Sequence, residues 1–305
     1  MKNNSINSII KSQPFLPAMP QDYPFEGKYF HCKDGAKLHY LDEGQGPVVL
    51  LLHGNPTWSY MWRNLITKYR HQFRFIAPDH AGMGLSDRTP GITYNLQAHV
   101  DRCAELIDGI GIKNFSLVAH DWGGAIGMGL PTLKMLTPER IVMLNTAAFR
   151  DKQLPWTINL CRIPWLGECW MRLANGFAWP ATWMTTVKRL PSSTRRALLA
   201  PYYNWQSRLG IARFVQDIPM DETHPTWQTF EKIEHVLPSL KMPTLLVWGL
   251  KDFCFDQHFL NRWQEFYPQA KVISYQDAGH YVLEDRPEAI DEIALFLKSN
   301  ADKLQ

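Results

Sequence analysis

Short apolar runs with polar or glycine-bearing ends recur along the chain: KLHYLDEG (37–44), PVVLLLHG (47–54), FRFIAPD (73–79), FSLVAHD (115–121), RIVMLNT (140–146), TLLVWG (244–249) and KVISYQD (271–277). Runs this short, bounded by glycine, proline or aspartate, read as buried strands. Longer amphipathic segments separate them, and that alternation predicts an α/β fold: a mostly parallel sheet with helices on both faces. Several runs end on a residue able to do chemistry, namely His53, Asp79, Asp121, Asn145 and the loop from Gly249 to Asp252. Open α/β sheets carry their sites at the carboxyl ends of their strands, so these residues are expected along one edge.

From about residue 150 to 225 the strand pattern stops. Helical segments take its place, such as WLGECWMRLANGFAW (165–179) and STRRALLAPYYNWQSRLGIARFVQDI (193–218), interrupted by Pro155, Pro164, Pro180, Pro191 and Pro201. The expected organisation is a core of residues 25–149 and 226–305, a helical cap over 150–225 inserted late in the core, and an extended proline-rich arm over 1–24 on the domain surface. Seven of the twelve tryptophans lie in the cap or just past it, from Trp156 to Trp227. Large aromatics usually fill cores, so most of these are expected to pack cap against core. Phe149, Trp205 and Phe214 are the candidate lining of an apolar cavity between cap and sheet, suited to a hydrophobic small molecule.

Composition narrows the function classes. The 305 residues carry 32 basic and 29 acidic side chains, interspersed, for a formal charge of +3. Without a basic block, nucleic acid is not an expected partner. Five cysteines form no CxxC pair, and their odd number fits a reduced, cytoplasmic compartment. No run approaches the roughly eighteen apolar residues of a spanning helix, and the first residues lack a signal-type apolar stretch, so no transmembrane segment is expected. There is no dinucleotide-type GxGxxG unit, no Walker A sequence and no His/Cys set at metal-ligand spacing; no cofactor and no metal are expected.

The segment VAHDWGGAIG (118–127) concentrates the chemistry. A strand, then a small residue, any residue, a nucleophile, any residue and glycine, then a helix, is a nucleophile elbow; small neighbours let strand and helix backbones approach. Here the nucleophile position is Asp121. The order nucleophile, acid, histidine continues with Asp252 after one strand and His280 after the last, with Asp256 and Asn145 as rivals for the orienting acid. His120, at an elbow position that points away from the nucleophile, reads as structural. Upstream, HGNPTW (53–58) follows a strand; its backbone N–H groups with that of Trp122 would form an oxyanion hole, and the Asn55 and Trp122 side chains add two N–H donors for a leaving group. Asp79, in PDHAGMGLSD (78–87), reads as a brace for loops near the site.

An aspartate on this turn changes the chemistry. Ionised, it needs no base, and it can displace a leaving group from sp3 carbon to give an alkyl ester with the enzyme. A histidine then either activates water against that ester or serves another resolution.

These residues resemble known families. HDWGG (120–124) is similar to the elbow of haloalkane dehalogenases and of epoxide hydrolases of the α/β-hydrolase fold. HGNPTW leans toward the dehalogenases, and the adjacent Tyr202 and Tyr203 match poorly the two cap tyrosines of epoxide hydrolases. One dehalogenase subfamily carries its acid where Asn145 stands, which leaves Asp252 to serve here. LNTAAF (144–149), RFVQDIP (213–219), WGLKDFCFD (248–256) and DAGHYVLED (277–285) resemble the β-lactone decarboxylases of bacterial long-chain olefin biosynthesis, across residues 23 to 297. That resemblance implies decarboxylation of cis-3,4-dialkyl β-lactones to cis-alkenes, with attack either at the sp3 ring carbon or at the lactone carbonyl. It also implies assembly with a β-lactone synthetase and the other enzymes of that pathway. Haloalkane dehalogenase is the second reading and epoxide or ester hydrolase the third. A non-catalytic scaffold is the reading from a different class, weighed against by competent residues at all five site positions.

Overall fold

The computed structural model describes residues 20–133 and 136–299. Its centre is one sheet of eight strands: β1 (Lys28–His31), β2 (Lys37–Gly44), β3 (Val48–Leu52), β4 (Arg74–Pro78), β5 (Ser116–His120), β6 (Ile141–Leu144), β7 (Thr244–Gly249) and β8 (Lys271–Tyr275). In space they run β1-β2-β4-β3-β5-β6-β7-β8. The pairings from β4 through β3 to β8 are parallel; only β1 with β2 and β2 with β4 are antiparallel. Every residue of β5, β6 and β7 is buried, as expected for strands covered on both faces.

Seven of these strands coincide with the apolar runs. The eighth, β1, is a half-exposed edge strand in a hairpin with β2, turned at Asp34–Gly35 with Gly35 at φ 90°. Gly35 N–H donates to Cys32 C=O (3.0 Å) and Cys32 N–H to Ala36 C=O (2.8 Å), which closes that turn.

The core helices are α1 (Arg63–Tyr69), α2 (Leu96–Gly109) and α3 (Trp122–Gly129), then α10 (Gln257–Phe266), α11 (Val282–Asp285) and α12 (Ala289–Lys298) beyond β7. Between β6 and β7 lie α4 (Trp156–Cys161), α5 (Leu166–Leu173), α6 (Ala178–Met184), α7 (Ser192–Leu199), α8 (Leu209–Gln216) and α9 (Pro225–Val236). α9 packs against α2 and α3, while α12 packs against α1. Asn175 at φ 54° and Gly176 split the first predicted cap helix into α5 and α6. Pro180 does not interrupt α6, because it sits in the first turn, where no intrahelical N–H is needed.

One expectation needs correction. Of the seven cap tryptophans, Trp156, Trp165, Trp170, Trp179 and Trp183 are exposed rather than packed between cap and core. The cap is a thin layer of short helices with a small apolar centre of its own, Ile158, Cys161, Met171, Ala212 and Val215; none of the described residues covers its outward face. The arm over 1–24 falls outside the described residues as far as residue 19. Its remaining end, residues 20–24, leaves Gln21, Asp22 and Pro24 exposed and is anchored by Tyr23, which is buried against Trp58 and Tyr60 and hydrogen-bonds Ser59 Oγ at 2.6 Å. No helix among the described residues is long and apolar enough to cross a membrane.

Candidate active site

Sheet register assembles the site. Leu52 of β3 pairs with Ala119 of β5, His120 with Leu144 of β6, and Leu144 with Val247 of β7, so the loops that follow start side by side. Asp121 stands between β5 and α3 at φ 51°, in the left-handed region that non-glycine residues rarely adopt. The close approach the elbow requires is visible in its neighbours. A Cβ on Gly123 would lie 2.1 Å from Leu52 O, and one on Gly54 would lie 2.0 Å from Asp121 Oδ1. Thr146 Oγ–H donates to the Asp121 carbonyl, and Asp121 N–H donates to Asn145 C=O at 3.3 Å, which fixes the turn from the β6 side.

The two carboxylate oxygens of Asp121 have different surroundings. Oδ1 accepts Asn55 N–H at 2.6 Å, and Trp122 N–H also donates to the carboxylate, so the backbone N–H groups expected to form an oxyanion hole hold the aspartate itself. Oδ2 lies 3.8 Å from His280 Nε2. His280 Nδ1–H donates to Asp252 Oδ2 at 2.7 Å. Asp252 in turn accepts Asn145 Nδ2–H at 2.9 Å and Cys254 N–H at 2.7 Å. Asn145 also brackets Gly249, donating to its carbonyl (3.0 Å) and accepting its N–H (2.8 Å).

The rivals for the orienting role are thus separated by geometry. Asp252 faces His280, and Asn145 holds Asp252. Asp256 instead caps α10, accepting His258 N–H at 2.9 Å, and takes Gln153 Nε2–H at 2.7 Å. His120 Nε2–H donates to the His280 carbonyl at 2.9 Å, and burial holds its ring well below the usual imidazole range, so it supports the histidine loop as a neutral ring. Asp79 accepts Ser59 N–H (2.7 Å), His39 Nδ1–H (2.9 Å) and Leu85 N–H (2.8 Å), which ties three loops together behind the site.

Burial and charge act against each other here. Burial raises the Asp121 carboxyl above the ordinary range, and His280 with the Asn55 and Trp122 N–H groups pulls it back only in part. Burial alone would lower His280, but the charge and hydrogen bond of Asp252, with Asp121 beyond, outweigh it and carry the imidazole above its ordinary value. The two neighbouring carboxyl groups thus favour the protonated ring over the neutral one.

A cavity of about 600 Å³ opens from Asp121, Asn55, Trp122 and His280 outward beneath the cap. Phe149 lines it, together with Phe177, Phe230, Phe253 and Phe255. Trp205 and Phe214 do not. The Trp205 ring carries the Arg172 guanidinium at 4.0 Å away from the cavity, and Phe214 is buried behind Trp122, its ring 5.3 Å from the indole and stacked on His99. No tyrosine lines the cavity: Tyr202 is buried, donating to Thr57 C=O at 3.0 Å and accepting Gly84 N–H at 3.2 Å. The Trp122 indole N–H has no hydrogen-bond partner among the described residues. Asn55 Nδ2–H donates to Ile211 C=O of α8 at 3.2 Å, leaving its second N–H, while its Oδ1 is buried without a partner. No group of three or more His, Cys, Asp or Glu among the described residues is placed to hold a metal.

A model of the alpha/beta hydrolase family matches residues 49–293. The chain belongs to that family. This alpha/beta hydrolase is 41% identical over 293 residues to the cis-3-alkyl-4-alkyloxetan-2-one decarboxylase of Xanthomonas campestris pv. campestris, covering 91% of this chain and 98% of that protein. It is 42% identical over 284 residues to the protein of the same name from Shewanella oneidensis, covering 90% of this chain and 88% of the relative. Among solved structures, the haloalkane dehalogenase of Bradyrhizobium elkani matches this alpha/beta hydrolase with a TM-score of 0.79 at 27% identity, over 90% of this chain and 100% of the other.

Proposed function

We propose that this chain is an enzyme that decarboxylates cis-3,4-dialkyl β-lactones to cis-alkenes and carbon dioxide. The observation that carries the reading is identity above 40%, over about nine tenths of the chain, to two proteins named for that activity on alkyl-alkyloxetanones. The site supports it with a buried carboxylate at the end of a large apolar cavity, its Oδ2 3.8 Å from His280 Nε2.

In the proposed route Oδ2 of Asp121 attacks the ring carbon that bears the ring oxygen. That C–O bond breaks with inversion, its electron pair stays on the oxygen, and the lactone carbonyl becomes a free carboxylate. The product is an alkyl ester of Asp121. Anti elimination then moves the C–CO2 bonding pair into a carbon–carbon double bond while the ester C–O bond breaks, releasing carbon dioxide and restoring Asp121. Inversion followed by anti elimination keeps the alkyl chains cis, and no water is consumed. Asp121, His280 and Asp252 are the catalytic set in this reading. The Trp122 indole and the second Asn55 N–H hold the forming carboxylate, and the His280 imidazolium stabilises Asp121 as it leaves.

A hydrolytic reading, haloalkane dehalogenase, is favoured by one observation, the two side-chain donors beside Asp121, which suit a halide equally well. Epoxide hydrolysis has less support, since no tyrosine lines the cavity to act as acid. The same reading includes cytoplasmic olefin biosynthesis in assembly with a β-lactone synthetase; five unpaired cysteines support a reducing compartment. The test is direct: offer purified protein a cis-3,4-dialkyl β-lactone and, separately, 1-bromoalkanes. Alkene from the lactone supports the reading, and efficient bromide release with no alkene overturns it.

A further inference from the structure

The cap's outward face is apolar where most monomer surfaces are polar. Trp165 is 87% exposed, Trp156 74%, Leu173 68% and Leu166 67%. This face is continuous with the cavity: Leu160, Ile163, Leu166, Trp170 and Met184 are each exposed and each line it, so its mouth is rimmed with apolar side chains. The stretch of chain that carries this face is also basic. Residues 150–200 hold eight basic and two acidic side chains, a net charge of +6 against +3 for the whole chain. Arg150 and Arg172 are used in ion pairs with Glu234 and Glu168. Lys152, Arg162, Lys188, Arg189, Arg195 and Arg196 make no ion pair among the described residues. Arg189 and Arg195 stack instead on the Trp183 ring, at 4.7 and 4.1 Å.

Exposed tryptophan and leucine interleaved with unpaired arginine and lysine is the composition of a surface that enters the interface of a charged bilayer, where indoles sit at headgroup depth and cations meet anionic lipid. We propose that the cap seats this protein on an anionic phospholipid bilayer, with the cavity mouth facing the lipid. A hydrophobic ligand then passes from the acyl region to Asp121 without crossing water. A second copy is the less suited occupant, because a two-fold interface would set this unpaired positive charge against itself. The inference rests on the surface and holds whichever reaction Asp121 performs.

The experiment is co-sedimentation of the full chain with vesicles of phosphatidylcholine alone or mixed with phosphatidylglycerol, at low and high salt. Two variants use residues outside the cavity lining: Trp165→Ser/Trp179→Ser and Lys188→Glu/Arg189→Glu. The expected result is binding to anionic vesicles that weakens with salt and falls at least about tenfold in each variant, with melting temperatures unchanged. Three outcomes overturn the proposal: no preference for anionic vesicles, undiminished binding in both variants, or concentration-dependent dimers that the tryptophan variant dissolves.

Discussion

Replacing Asp252 by asparagine tests the charge arrangement around His280 directly. The His280 imidazole lies between Asp252, hydrogen-bonded at 2.7 Å, and Asp121, 3.8 Å away, with all three side chains buried. An asparagine with its oxygen in the Oδ2 position still accepts from His280 and Asn145, and loses the bond from Cys254 N–H. The substitution therefore removes charge more than shape. Two unit charges about 4 Å apart at an effective dielectric of about 20 interact by ~4 kcal/mol, which is about three pKa units at 1.36 kcal/mol each. In the proposed route His280 acts as a cation, so alkene formation is present below its folded pKa and lost as pH climbs through it. The assay is alkene release against pH for both proteins, with an NMR titration of His280. The alkaline limb is expected to move about three units toward acid in Asp252→Asn. An unmoved limb, or activity that rises with pH as His280 becomes a neutral base, would refute the reasoning.

Other expectations follow from single contacts. Asp217, pushed up to about 7 by burial, accepts Leu96 N–H at 2.7 Å and Thr226 Oγ–H at 2.5 Å. With its folded pKa above the unfolded value, it favours the fold at low pH and costs stability from about pH 4 to about pH 7, by ~4 kcal/mol at most. Asp217→Asn should therefore gain on wild type in urea unfolding at pH 8 relative to pH 5; an equal gap at both would contradict this. Asp285 accepts N–H groups from Gly279 (2.8 Å), Val187 (2.9 Å) and Lys188 (3.0 Å), which staples the histidine loop to the cap. Asp285→Ala leaves these donors unpaired and should cost roughly 3 kcal/mol or more by denaturant titration, against a null result within about 0.5 kcal/mol. A Gly54→Ala substitution would press its Cβ onto Asp121 Oδ1 and should lower kcat at least about tenfold with little change in melting temperature; full activity would show that the carboxylate is free to move.

The strands were legible because a doubly covered parallel sheet imposes continuous apolar runs, and β5, β6 and β7 have no exposed position to blur the signal. β1 was not, since KYFH at a half-exposed edge carries no such run; its signal was the Asp34–Gly35 turn before β2. Asp121, His280 and Asp252 stood out by chain order at strand ends. The support around them did not: Thr146 bonding the Asp121 carbonyl and Asn145 bracketing Gly249 depend on register between neighbouring strands. Cavity lining was least legible. Aromatic character alone points to Phe214 and Trp205, yet Phe214 is on the face of α8 that meets Trp122, and Trp205, in the turn before α8, packs on Arg172. Phe253 and Phe255 were available beside Asp252, at a strand's carboxyl end where cavities open.

In the proposed route an ester on Asp121 is resolved by losing carbon dioxide and not by adding water. Repeated turnover of a cis-3,4-dialkyl β-lactone in oxygen-18 water, followed by mass spectrometry of the peptide containing Asp121, measures this. The peptide is expected to remain unlabelled while alkene accumulates. Incorporation of oxygen-18 into Asp121 in proportion to turnover would contradict the claim and place water at the ester carbonyl.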